Sequence, residues 1–236
     1  MEQSLGGAGK IAQTTLLLAF CAGFSDTATY VGGHGTFSAH VTGNFILFAY
    51  GLVHHGDATS WLKLLTFPVF VLAVAFGGRM GVKSPDGRSL LLAEAFLLLL
   101  TAVADYFLAG GEVYDQLGIF GVIMIAVFAM GLQNAFGKLF VKATYGPTTM
   151  MTGNVTQAAL DLGKWAGSGF ADKAIKAGLM KTLTTIGGFA CGCLLGAILA
   201  RRAGLMAIGF PAILLLISLG RRAPAPVGQS GRDSLV

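Results

Sequence analysis

Val41-Thr42-Gly43-Asn44 decides how this chain is read, because its last three residues return as Thr152-Gly153-Asn154. Each copy follows a related signal: Gly23-Phe24-Ser25-Asp26-Thr27 precedes the first, and Gly131-Leu132-Gln133-Asn134-Ala135 the second. Gly23 and Thr42 are 19 residues apart, and Gly131 and Thr152 are 21 apart. Two ordered matches at nearly equal spacing, each ahead of long apolar stretches, point to a duplicated membrane unit.

Composition sets the solvent. Hydrophobic residues make up 54% of the chain and charged residues 11%, with a mean hydropathy of +0.72. A soluble domain carries about a quarter of its residues charged, so this chain cannot cover its own surface in water. Residues 64–78, 117–137, 182–200 and 203–220 hold no charge, each at or near the ~20 apolar residues that cross a bilayer. The expected class is all-α, a polytopic transmembrane helical bundle whose first partner is the lipid bilayer.

Its formal charge of +5 does not indicate nucleic acid. The basic residues sit singly or in pairs beside apolar spans, as topological anchors do. Cys21, Cys191 and Cys193 all fall inside expected spans, and an odd count there argues against a disulfide framework.

Taken in order, residues 1–10 read as a polar cytoplasmic start and 11–220 as one integral membrane domain. That domain divides into units 11–110 and 117–220, and residues 221–236 read as a disordered tail. Residues 11–32 form an uncleaved first span containing Asp26, broken by Gly32-Gly33-His34-Gly35. Residues 36–53 are apolar but carry Thr42 and Asn44. Spans come next at 64–82 and 89–110, the latter with Glu94 and Asp105 eleven residues apart and so on one helix face. In the second unit, Asn154, Gln157 and Asp161 share one side of a helix. Residues 164–181 read as a basic connecting loop, and Gly188, Gly192 and Gly196 form a ladder for close helix packing.

These are eight apolar elements, four per half. Six full crossings plus two broken or partial Thr-Gly-Asn helices, with both termini cytoplasmic, leave only Lys63 and Arg201-Arg202 against the positive-inside rule. Eight crossings with the N-terminus outside would export residues 164–181 and Arg221-Arg222, so six is the preferred count.

The Ala22-Gly23-Phe24-Ser25-Asp26 opening and the Gly35-Thr36-Phe37 approach to Thr42-Gly43-Asn44 have counterparts in Gly131-Leu132-Gln133-Asn134 and Thr152-Gly153-Asn154. Together they resemble the YoaK family of small bacterial inner-membrane proteins, over residues 15 to 220 or so. The resemblance implies a multi-pass protein of the bacterial inner membrane and brings no established activity. The halves differ at Asp26 against Asn134.

Two readings of the paired elements stand side by side. Thr and Asn beside a Gly satisfy backbone groups freed by a helix break, since lipid offers no water. Alternatively, two broken helices meet near the midplane and offer their ends to a solute. On the second reading, Asp26, Thr42, Gly43, Asn44, Gln133, Asn134, Thr152, Gly153, Asn154 and Asp161 bind or couple an unknown small molecule or ion. An ionisable group deep in a span, as Asp26 is, usually faces a cavity, a partner or a proton path. The expected function is a small transporter of a polar solute, possible coupling to protons included. The alternative is a non-transporting scaffold or sensor whose glycine ladder binds a partner helix or a second copy, as in a homo-oligomer. Enzyme signatures, cofactor motifs and metal-ligand spacing are missing from the sequence.

Overall fold

The computed structural model describes residues 2–54, 60–108 and 116–221. Its order is α1 (Glu2–Gly32), α2 (Val41–His54), α3 (Ser60–Leu64), α4 (Thr66–Val82), α5 (Arg88–Leu108) and α6 (Gln116–Leu139). Then come α7 (Met151–Gly167), α8 (Lys173–Ala203), a 3-10 turn over Gly204–Ile208 and α9 (Gly209–Gly220). Among the described residues there is no strand. Ser60–Val82, Arg88–Leu108, Leu117–Leu139 and Lys173–Gly220 are long and apolar enough to cross a membrane.

Buried polarity marks α1 as the central helix. Thr14, Thr15, Ser25, Asp26 and Thr29 are all buried, while Leu16, Tyr30 and Val31 point outward. Leu18, Cys21, Phe24 and Ala28 of the same helix are buried as well, so α1 is enclosed by the bundle with its polar and apolar side chains alike.

Glycine contacts fix the directions of the long helices. A Cβ on Gly188 would meet Leu16, one on Gly192 would meet Phe20 and Phe24, and one on Gly196 would meet Phe24. The glycine ladder therefore packs on α1 of the same chain, and α1 and α8 run parallel. Likewise Gly131 lies against Phe70 and Ala73, Gly77 against Leu132 and Ala135, and Gly81 against Leu139. So α4 and α6 are parallel too. Helix α9 returns beside α5, where the Arg88 guanidinium donates to the Leu219 carbonyl at 3.0 Å.

The two close pairs mirror each other. Gly23 of α1 presses on the Phe189 carbonyl of α8, and Gly131 of α6 lies against the Phe70 carbonyl of α4. In each case the first helix of one expected unit packs on the third helix of the other. Contacts this close need glycine, and in lipid such packing takes over from the hydrophobic drive.

Several boundaries differ from those expected. Residues 164–181 are not a loop: α7 continues to Gly167 and α8 starts at Lys173. Asp172 caps α8 by accepting from the N–H groups of Ala174 at 2.8 Å and Ile175 at 3.1 Å. A good N-cap ahead of Ala, Lys and Leu favours helix whatever the net charge. The α1 helix begins at Glu2 rather than at Ile11, since no proline stops it. Helix α2 starts only at Val41, because His34 and Gly35 take left-handed angles of φ 53 and φ 69. The tail from residue 222, the 55–59 segment and the acidic 109–115 segment lie outside the described residues.

Candidate functional site

The site grows from the two breaks that precede α2 and α7. At the first, the Gly35 N–H closes the end of α1 on the Tyr30 carbonyl at 3.0 Å, and the chain turns back along the helix it has just left. Asp26 receives it. Its Oδ1 accepts from the N–H groups of Ala39 at 2.7 Å and His40 at 3.2 Å. Its Oδ2 meets His40 Nδ1 at 2.5 Å. The carboxylate is buried and has no free role as a lone charge, because each oxygen is engaged. Hydrogen bonding to Asp26 pushes the His40 imidazole, in the loop ahead of α2, up from its usual value, against the lowering effect of partial burial.

Asn44 ties the other end of the same loop. Its Oδ1 accepts from the Phe37 N–H at 2.9 Å, and its Nδ2 donates to the Phe37 carbonyl at 2.8 Å and to Thr66 Oγ1 at 3.0 Å. The loop between α1 and α2 is thus held by an acid from one helix and an amide from the next.

The second break repeats the plan with different chemistry. Asn134 stands where Asp26 stood, and its Oδ1 accepts from Thr149 Oγ1 at 2.7 Å. Asn154 Nδ2 donates to the Pro147 carbonyl at 2.8 Å. Proline has no N–H, so the return bond that Phe37 gives Asn44 is missing here. Gln133 Nε2 donates to the Leu18 carbonyl and to Thr148 Oγ1, both at 2.8 Å, which pins this loop to α1.

Both breaks deliver a helix start to one place. A cavity of ≈ 460 Å³ is lined by Ala39, His40, Val41 and Thr42 from the first break and by Thr149 to Gly153 from the second. Phe70, Val74, Asn134 and Lys138 complete it. Its size falls among small-molecule pockets, which run from about 300 to 1,000 Å³.

Apart from Asp26, held behind His40, the charge around this cavity is positive. Neither α2 nor α7 has an acidic residue in its first turn, and Met150 gives α7 no side-chain cap. Each helix start carries roughly half a positive charge. The ammonium of Lys138 adds a full one.

Of the residues expected at a site, Thr42, Asn134, Thr152 and Gly153 line the cavity. Asp26 reaches its wall through His40. Asn44 and Asn154 hold the loops behind it, Gly43 N–H bonds the His40 carbonyl at 2.8 Å, and Gln133 lies deeper, in contact with α1. Asp161 is set apart along α7, bonded to Gln157 Nε2 at 2.8 Å and facing Gly178 of α8. Lys138 was absent from the expected set. Its signal was available, since it stands one helical turn after Asn134 and so shares its face.

Against known proteins, the family described as protein of unknown function (DUF1275) matches residues 14–220. No curated protein matches the chain, and no solved structure does.

Proposed function

For a chain that belongs to the DUF1275 family of proteins of unknown function, we propose the role of a membrane permease for a small anionic solute. The carrying observation is that two helix starts without acidic neighbours and the Lys138 ammonium surround a single cavity. Paired N-terminal ends with a nearby cation form a ready anion site. Cations are disfavoured there.

In this scheme six segments cross the bilayer: α1, α3 with α4, α5, α6, α8, and the 3-10 turn with α9. Helices α2 and α7 enter from opposite faces and stop at the cavity. Such a pair of half-helices, related by an axis in the membrane plane, is the plan of many inverted-repeat transporters. The mirrored contacts of Gly23 with Phe189 and of Gly131 with Phe70 support it. The membrane is the inner membrane of a bacterium. With the N-terminus cytoplasmic, this scheme puts Lys10, Arg79, Lys83, Arg88, Lys138, Lys142 and the start of α8 on the cytoplasmic side, as the positive-inside rule favours, with Lys63 and Arg201-Arg202 against it.

Each residue then has a task. Lys138 and the first-turn N–H groups of α2 and α7 attract the anion, Thr42, Thr152 and Asn134 orient it, and Asp26 positions His40 at the wall. The glycine ladder serves α1 within the chain, which withdraws it from the scaffold alternative. A thermal-shift panel on the purified full chain tests the idea: acetate, lactate, sulfate and inorganic phosphate against matched choline, potassium and sodium salts. Stabilisation by one or more of the anions, weakened in Lys138→Ala, is expected. Stabilisation by cations alone would reverse the assignment.

A further inference from the structure

Glu94 has no place in the cavity, yet it is the most deeply enclosed acid among the described residues. It is 0% exposed, and neither Oε1 nor Oε2 has a hydrogen-bond partner. Its neighbours one turn away on α5, namely Leu90, Leu91 and Leu98, are themselves buried. That face packs where α1, α5, α6 and α9 meet, against Leu18, Cys21, Phe136 and Leu215.

An ionised carboxylate cannot persist there. Removing it from water without a partner is strongly unfavourable, and such groups neutralise instead. Among the described residues no cation is placed to compensate. On α1 the titratable group nearest this junction is the Cys21 thiol, with Asp26 more than a turn further along. On α6 it is Lys138, which lines the cavity, and α9 and the 3-10 turn carry none. On α5 itself, Arg88 bonds the Leu219 carbonyl and Asp105 accepts from the Met206 N–H at 2.8 Å. On α4 the charge is Arg79, and on α1 Lys10 lies about two turns before Leu18. Gln133, on the adjacent helix α6, also keeps a buried Oε1 without a donor.

A leucine would fill this position at less cost, so packing alone gives no reason for an acid. We propose that Glu94 is a proton-binding site: its carboxylate takes one proton from water when the α1–α5–α6–α9 junction opens, and carries it neutral when the junction closes. Coupling of that proton to solute movement rests on the permease reading. Proton binding itself does not.

The test therefore has two arms. In the first, infrared spectra of the full chain in lipid are compared with Glu94→Gln, across an alkaline titration. The wild type is expected to show a protonated-carboxyl C=O band that Glu94→Gln lacks, and to lose it at high pH with release of one proton per chain. An identical band in the variant, or a wild-type band that no alkaline pH removes, overturns the proposal. In the second, proteoliposomes loaded with a pH-sensitive dye are given acetate, lactate, sulfate or phosphate under an imposed pH gradient. Glu94→Gln should still pass the solute down its own gradient but no longer respond to the pH gradient. A full pH response in the variant also overturns the proposal. Wild-type vesicles that move none of the four count against the permease reading instead, and the infrared comparison then decides Glu94 alone. Unchanged elution and helicity of Glu94→Gln establish that it is folded.

Discussion

Asn44 and Asn154, 110 positions apart in the chain, make the same bond: each side-chain amide donates at 2.8 Å to the carbonyl seven residues before it, of Phe37 and of Pro147. Each Thr-Gly-Asn is therefore a loop clasp at the start of its helix, and the likeness of the two stretches extends to a hydrogen bond. Beyond this shared bond the two asparagines part. Asn44 is fully buried and reaches Thr66, whereas Asn154 is half-exposed and turns to the Met150 carbonyl.

That inequality makes the first prediction. Asn44→Ala strands the Phe37 N–H and carbonyl and should cost about 2–3 kcal/mol, while Asn154→Ala should cost about 1 kcal/mol. Thermal unfolding of the two variants in one detergent checks the order. Equal losses would mean that the clasps are energetically alike.

Asp26 and His40 make the second. Asp26→Asn keeps an acceptor for the Ala39 and His40 N–H groups but loses the charged partner of the imidazole. Because the His40 pKa is raised in the fold, the pair's contribution is complete below the unfolded value and fades as pH rises through the folded one. The stability gap between wild type and Asp26→Asn should accordingly narrow from mildly acidic to alkaline pH. Melting curves across that range check it; a gap that widens with pH contradicts the sign.

The third concerns the parallel helix pairs. A methyl group on Gly192 would sit against the Phe20 carbonyl, and one on Gly23 against that of Phe189. Backbone cannot yield as a side-chain tip can, so Gly192→Ala and Gly23→Ala should each cost ~1–3 kcal/mol by overpacking. Gly153→Ala, with nothing near its Cβ, should be close to neutral. Folded yield and melting temperature of the three variants separate these outcomes.

Much of this organisation is legible in the sequence, and the exceptions have physical causes. Paired Thr-Gly-Asn marks, uncharged windows and the glycine ladder are local patterns, and each corresponds to a structural element. The 164–181 stretch is misleading because clustered lysines resemble a loop, although Asp172 and the alanines around it encode a helix start. His40 as the partner of Asp26 is not visible, since a chain reversal through His34 and Gly35 brings them together across 14 positions. Glu94 and Asp105 are recognisable as sharing a face, but that neither oxygen of Glu94 finds a donor depends on four helices meeting.

The fourth prediction concerns the two faces from which α2 and α7 enter. Single cysteines at Lys142 and Arg202, in a chain whose own three cysteines are replaced, should label from opposite sides with a membrane-impermeant thiol reagent. Labelling of both from the same side would remove the six-crossing arrangement.

Most direct of all is solute flux through the purified full chain in proteoliposomes, measured with acetate, lactate, sulfate and inorganic phosphate against sodium and choline. Uptake of at least one anion above protein-free vesicles, cut about tenfold by Lys138→Ala through loss of ~1.4 kcal/mol of binding, is the expected result. Flux of cations alone, or anion flux untouched by Lys138→Ala, would contradict an anion site between the two helix starts.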